Sequence, residues 1–208
     1  TGYNPFTAEG KKTAAFEIWE QLLRHLPENE TLNIFVPVGD GNIISGVAKG
    51  FEDLLALGWI SKLPRLIGVQ AEGSAAIAKA FKQNASHITP VQAKTIADSI
   101  SVNLPRDGMR AVRSVQRANG FYVVVSDEEI LKAISDLGRI GIFAEPAAAA
   151  AYAGLKHAVQ NHQINPGETN LALITGSGLK DVQAAMRATQ AASIIEATIQ
   201  NLKEVIRA

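Results

Sequence analysis

At 208 residues the chain has room for one large domain or two small ones, and 47% apolar against 19% charged residues exclude a disordered chain. Twenty basic residues balance twenty acidic ones, so net charge gives no pull toward nucleic acid or an anionic membrane, and neither is expected as a partner. The absence of cysteine excludes a disulfide framework, a thiolate zinc site and a cysteine nucleophile. No apolar run approaches the ~18 residues of a membrane span and no leader-like segment opens the chain, so the sequence reads as cytoplasmic.

The elements alternate in type. A helix is expected over about 11–25, then a buried strand over 32–38 (LNIFVPV) ended by Gly39, then a helix over 43–57 stopped by Gly58. A second strand over 66–70 (LIGVQ) leads through Glu72 and Gly73 to an alanine-rich helix over 74–81. The polar stretch 83–105, with two prolines, reads as a long connection, and a helix over 106–118 follows it. The third strand is 121–125 (FYVVV). Ser126 to Glu129 then carries a capping-box pattern, serine oxygen and glutamate carboxylate each satisfying an orphan amide. A helix over 145–160, a fourth strand over 170–175 (NLALIT) and a C-terminal helix within 186–208 complete the series. The apolar stripe of that last helix (Ile194, Ile195, Ile199, Leu202, Val205, Ile206) reads as packing on its own domain, with a dimer contact as the alternative. Strands apolar throughout, alternating with helices, give an α/β class: a mostly parallel sheet with helices on both faces, in a single domain over 1–208.

Two glycine clusters follow strands, where open parallel sheets bind ligands. In VPVGDGNIISG (36–46), glycines and a helix start offer unpaired amides to an anion such as phosphate. Two familiar phosphate motifs fail there: GxGxxG meets Ile44 in place of its third glycine, and GxxxxGK[ST] meets Val47 in place of its lysine. A tight strand-to-helix turn, with the glycines present for backbone reasons, is the competing reading. The second cluster, TGSG (175–178), reaches the same end of the sheet, so both clusters can converge on one ligand. At 145 a glutamate followed by Pro146 reads as a helix cap or as a site residue.

Six segments in order, NPFTAEGKKT from Asn4, VPVGDGNI, LPRLIGVQAEG from Leu63, VSDEEIL from Val125, GIFAEPAAAAA from Gly141 and LITGSGLKD from Leu173, resemble the pyridoxal-phosphate enzymes of fold type II, in particular the threonine synthases. The resemblance implies pyridoxal 5'-phosphate as cofactor, its phosphate cradled by the amides of Gly39, Asp40, Gly41, Asn42 and Ile43. It implies that the Thr175 hydroxyl meets the pyridine nitrogen, leaving it unprotonated. Glu72 and Glu145 fall near the pocket without an assigned role. The implied reaction converts O-phosphohomoserine to threonine plus phosphate, with a small amino acid as substrate.

The chain departs from the family pattern in three places. Its phosphate loop is one residue shorter than the Gly-Asn-x-Gly-Asn form, and Thr7 stands where many threonine synthases carry an arginine for the substrate phosphate. The Schiff-base lysine, which the family places upstream of the Asn-Pro segment, has no counterpart here; Lys11, Lys12 and Lys180 read as a solvated helix turn and a loop contact. The chain is therefore expected to be the cofactor-holding C-terminal portion of a longer enzyme, with no catalytic residue of its own. An N-terminal part of the same enzyme is its expected partner, and self-association into a homo-oligomer is expected from the surface that part leaves exposed. Thr7 keeps open another fold type II reaction, β-replacement or ammonia elimination. A non-catalytic phosphate-ligand binding module is the third alternative.

Overall fold

The computed structural model describes residues 4–165, 167–189 and 194–207. In chain order the helices and strands are α1 (Pro5–Lys11), α2 (Thr13–Gln21), β1 (Leu32–Pro37), α3 (Asn42–Ala56), β2 (Arg65–Ala71), α4 (Ala76–Lys82), α5 (Gly108–Arg117), β3 (Phe121–Val125), α6 (Asp127–Arg139), α7 (Pro146–Gln160), β4 (Thr169–Ala172), α8 (Val182–Ala188) and α9 (Ile199–Arg207). The four strands form one parallel sheet in the order β3-β2-β1-β4, with Ile34 opposite Leu66 and Leu171. β1 thus has β2 on one side and β4 on the other. The loops leaving β1 and β4 sit side by side at the switch point where such sheets bind ligands.

Alternation along the strands divides the apolar core between the two faces. Ile34, Val36 and Leu66 pack with α2, α3 and α5, while Phe35, Ile67, Val69 and Val123 pack with α6 and the alanine run of α7. The small side chains of α7 let it lie close on the sheet: a Cβ on Gly154 would stand 2.4 Å from a Val69 methyl. Buried Gln70 bridges two layers, donating to the Val38 carbonyl at 3.1 Å and accepting from the Ala78 amide at 2.8 Å. It serves as a side-chain cap for α4, which lacks one of its own.

The capping box at α6 forms as the sequence predicts, Ser126 Oγ accepting from the Glu129 amide and Glu129 Oε2 from the Ser126 amide. One turn from the end of α6, Asp136 receives Lys156 of α7, with Lys132 and Arg139 nearby. The Lys156 hydrogen bond holds its carboxyl below the usual aspartate value, against an opposing push from burial. A depressed folded-state pKa adds stability that is present above the unfolded value, near 3.9, and is lost as pH falls through the folded one. Urea midpoints are therefore expected to fall on acidification below about pH 4, and Asp136→Asn to flatten that part of the pH profile. An unchanged profile in Asp136→Asn would remove this ion pair from the acid response.

The expected helix over 186–208 is corrected. α8 ends at Ala188, Thr189 is extended, and residues 194–198 are not helical; 190–193 lie outside the described residues. The Thr189 hydroxyl donates to the carbonyls of Ala185 and Met186, competing with helix continuation, and Thr198 Oγ1 accepts from the Asn201 amide as a fresh cap. The stripe does not pack on the domain either, since Ile194, Ile199, Leu202 and Val205 are exposed. The first helix differs as well: it starts at Pro5, capped by Asn4 Oδ1 on the Phe6 amide, and breaks at Lys12 between α1 and α2.

Candidate functional site

Gly39, Asp40 and Gly41 of the loop after β1, with Asn42 and Ile43 of the first turn of α3, line one cleft of about 360 Å³ together with Thr175 beyond β4. The six residues singled out in the sequence are therefore brought together. The Leu173 amide donates to the Phe35 carbonyl and extends the β1–β4 ladder, which carries Thr175 to the end of the sheet beside the loop. The amides of residues 39–43 have no acceptor among the described residues; the first helical bond of α3 runs from Ser45 back to Gly41. Five adjacent unpaired donors, two of them at a helix start, suit a phosphate group.

The glycines answer to the protein rather than to the cleft. A Cβ on Gly39 would lie 2.9 Å from Ile100 Cα, and one on Gly41 2.8 Å from Ala111 Cβ. Gly41 also has φ +89°, the left-handed region that side chains disfavour. Backbone packing thus explains the two glycines, and the anion reading rests on the amides that this packing leaves free. The polar side chains brace the short loop from the same side. The Arg106 amide donates to Asp40 Oδ1 at 3.0 Å, the Asp107 amide to the Asp40 carbonyl at 3.0 Å, and Asn42 Nδ2 to Asp107 Oδ2 at 2.5 Å. Asp40 therefore faces the entrance of α5 with its carboxylate and contributes to the cleft through its amide.

Other cleft residues escaped the sequence reading. The connection 83–105 crosses the carboxyl end of the sheet and contributes Ser99, Ile100 and Val102 to the lining. Buried Ser74 holds it there, donating to the Ile100 carbonyl at 3.0 Å and accepting from the Val102 amide at 2.9 Å. Asp127 pins its middle through Thr95 and the Ile96 amide. Every one of these bonds is non-local, so periodicity carries no trace of them.

Glu145 lines the cleft but is not a side-chain cap for α7. Only 5% exposed, it accepts from Lys180 Nζ at 2.8 Å and Ser99 Oγ at 3.3 Å. The antiparallel bridge between Ala144 and Ser177, with the Glu145 amide on the Gly176 carbonyl, lays the TGSG loop against this carboxylate. Gly176 makes room for it, because a Cβ there would stand 2.0 Å from Glu145 Oε1. Glu72 is exposed and does not line the cleft; Ser177 caps the turn before Lys180 by accepting from the Leu179 amide. The lysines expected as a solvated turn and a loop contact separate into distinct roles. Lys12 pairs with Glu9 and Asp53, whereas Lys11 and Lys180 both line the cleft, as does Thr7.

Among the described residues no group of His, Asp and Glu is placed to hold a metal ion, and no helix is long and apolar enough to cross a membrane. The sequence model of the family described as "Pyridoxal-phosphate dependent enzyme" matches residues 1–176. The threonine synthases of Methanocaldococcus jannaschii and Methanosarcina acetivorans are each 38% identical to the chain, over 98% of it and 50% of their own length. The chain thus spans about half the length of these relatives. Among solved structures, the processed form of threonine deaminase isoform 2 from Solanum lycopersicum superposes with a TM-score of 0.66 at 21% identity, covering 90% of this chain and 51% of that one. Threonine synthase from Escherichia coli does so with a TM-score of 0.61 at 21% identity, covering 93% and 48%. These two likenesses show the fold, a mostly parallel α/β sheet of fold type II. Matched by the family model over most of its length and by these two threonine synthases over nearly all of it, the chain belongs to the pyridoxal-phosphate dependent enzymes.

Proposed function

We propose that this chain is the cofactor-holding part of a threonine synthase, converting O-phosphohomoserine to threonine and phosphate together with a further segment that supplies the Schiff-base lysine. The observation that carries this reading is the meeting of five unpaired amides, from Gly39 to Ile43, with Thr175 in one cleft. Identity of 38% to enzymes named threonine synthase supports this choice of reaction. Working in the cytoplasm as a homo-oligomer belongs to the same proposal.

The bound cofactor supplies an electron sink for carbanion chemistry on an amino acid. The chain's own residues bind and orient. The amides of Gly39, Asp40, Gly41, Asn42 and Ile43 hold the phosphate, with the α3 dipole behind the last two. The Thr175 hydroxyl would pair with the ring nitrogen and, carrying no negative charge, would not hold a proton there. Ile100 and Val102 add apolar surface to the cleft wall. Replacing Thr175 by aspartate is expected to put a proton on the ring nitrogen and to change the pH dependence of the absorbance of bound pyridoxal phosphate, while Thr175→Ser keeps the wild-type profile. Identical pH profiles for Thr175→Asp and wild type would detach Thr175 from the ring.

Thr7 supports a second reading, since this hydroxyl stands in the cleft where an arginine would otherwise add charge. A β-replacement or ammonia-eliminating enzyme of the same fold type would fit it. Assay of the complete enzyme with O-phosphohomoserine, O-phosphoserine and threonine separates the two. Turnover of O-phosphohomoserine with release of threonine is expected, and turnover of threonine or O-phosphoserine alone would replace the first reading by the second.

A further inference from the structure

Lys11 is a cation in the cleft that the binding of a phosphate by amides leaves without a task. It stands on the last turn of α1, four residues after Thr7, and both residues line the cleft. Its stem leaves α1 against α3, for a Cβ on Gly46 would fall 2.6 Å from Lys11 Cβ. Gly46 lies four residues, about one helical turn, beyond Asn42, where α3 presents its unpaired amides. The flexible four-carbon stem therefore starts one turn away from the anion-binding end of that helix.

The carboxylates around it already have partners. Glu9 and Asp53, the carboxylates where α1 meets α3, are taken by Lys12 and Lys49. Inside the cleft Glu145 is paired with Lys180, and the Asp40 carboxylate accepts the Arg106 amide. Lys11 makes no ion pair or side-chain hydrogen bond among the described residues. The loop 39–43 in turn contains no basic side chain and includes an aspartate. A dianion held there by amide dipoles alone would lack a formal counter-charge.

We infer that Lys11 completes the anion cradle, its ammonium serving as charge partner of the phosphate held by the amides of residues 39–43. This rests on the cofactor assignment of the cleft. A lysine suits the task as a point charge beside donors that already fix the geometry.

The test is calorimetric titration of the full chain with inorganic phosphate at two ionic strengths, alongside retention of pyridoxal phosphate after dialysis. Lys11→Gln is expected to weaken phosphate binding by about tenfold and to reduce its salt dependence, as loss of a charge-assisted hydrogen bond requires. Lys11→Arg should restore affinity to within about threefold, since it keeps the charge. A second readout needs no variant: phosphate should slow acetylation of Lys11 several-fold in the wild-type chain, as read by mass spectrometry, and leave exposed Lys62 unaffected. Wild-type phosphate affinity in Lys11→Gln, with binding lost in Gly41→Asp, overturns the inference and leaves the cofactor assignment standing. A wild-type chain that binds neither phosphate nor pyridoxal phosphate overturns both.

Discussion

Gly41→Ala is expected to lower the stability of the chain by about 2–4 kcal/mol and to abolish retention of pyridoxal phosphate. Two costs combine at this position. With φ at +89°, a side chain there loses about 1–2 kcal/mol to left-handed backbone strain. The new Cβ would also stand 2.8 Å from Ala111 Cβ and 3.1 Å from the Asp107 carbonyl oxygen, so the loop must lift away from α5. That movement pulls on the bonds that brace the loop, Asp40 to residues 106 and 107 and Asn42 to Asp107. The amides of residues 39–43 would lose the arrangement proposed to hold a phosphate. Urea unfolding reads the first effect and absorbance after dialysis against cofactor the second. Wild-type behaviour in both would mean that the loop is not held against α5 as described.

The second large effect is expected at Gly176. A Cβ there overlaps Glu145 Oε1 at 2.0 Å and its Cδ at 2.5 Å, so Gly176→Ala must displace a carboxylate that is 5% exposed from its bonds to Lys180 and Ser99. A loss of about 2–3 kcal/mol is expected, in the range for disturbing a buried hydrogen-bonded charge. The cause can be isolated by a double-mutant cycle. Glu145→Ala opens the space that the added methyl needs, so Gly176→Ala should cost less than about 1 kcal/mol in that background. Additive losses would show that Gly176 is required by its own backbone and not by Glu145. The Glu145→Gln variant keeps the shape and removes the charge, and it separates steric from electrostatic disturbance of the cleft.

How far the sequence carries this account differs along the chain. Strand β3 and the capping box of α6 are legible because their signals are local: five apolar residues in a row, and a serine three residues before a glutamate. Residues 39–43 and Thr175 are legible as candidates because glycine clusters after apolar strands mark the carboxyl end of a sheet. Their adjacency is a property of strand order, with β4 beside β1, which no local pattern contains. The wall formed by Ser99, Ile100 and Val102 is hidden for the same reason, being fixed by Ser74 and Asp127 from distant parts of the chain. Glu145 at a helix start with proline after it has the local signature of a cap, and only the tertiary approach of Lys180 and Ser99 gives it another partner. At the C-terminus the apolar spacing predicts one helix, while two threonines with competing hydroxyl bonds divide it.

The measurement that bears most directly on the cleft is equilibrium dialysis of the purified chain against pyridoxal phosphate and, in parallel, against pyridoxal, followed by absorbance. A cradle of backbone amides recognises the phosphate and not the ring, so the phosphorylated form should be retained and the unphosphorylated form lost. Equal retention of the two, or loss of both, would contradict the placement of the phosphate at Gly39 to Ile43.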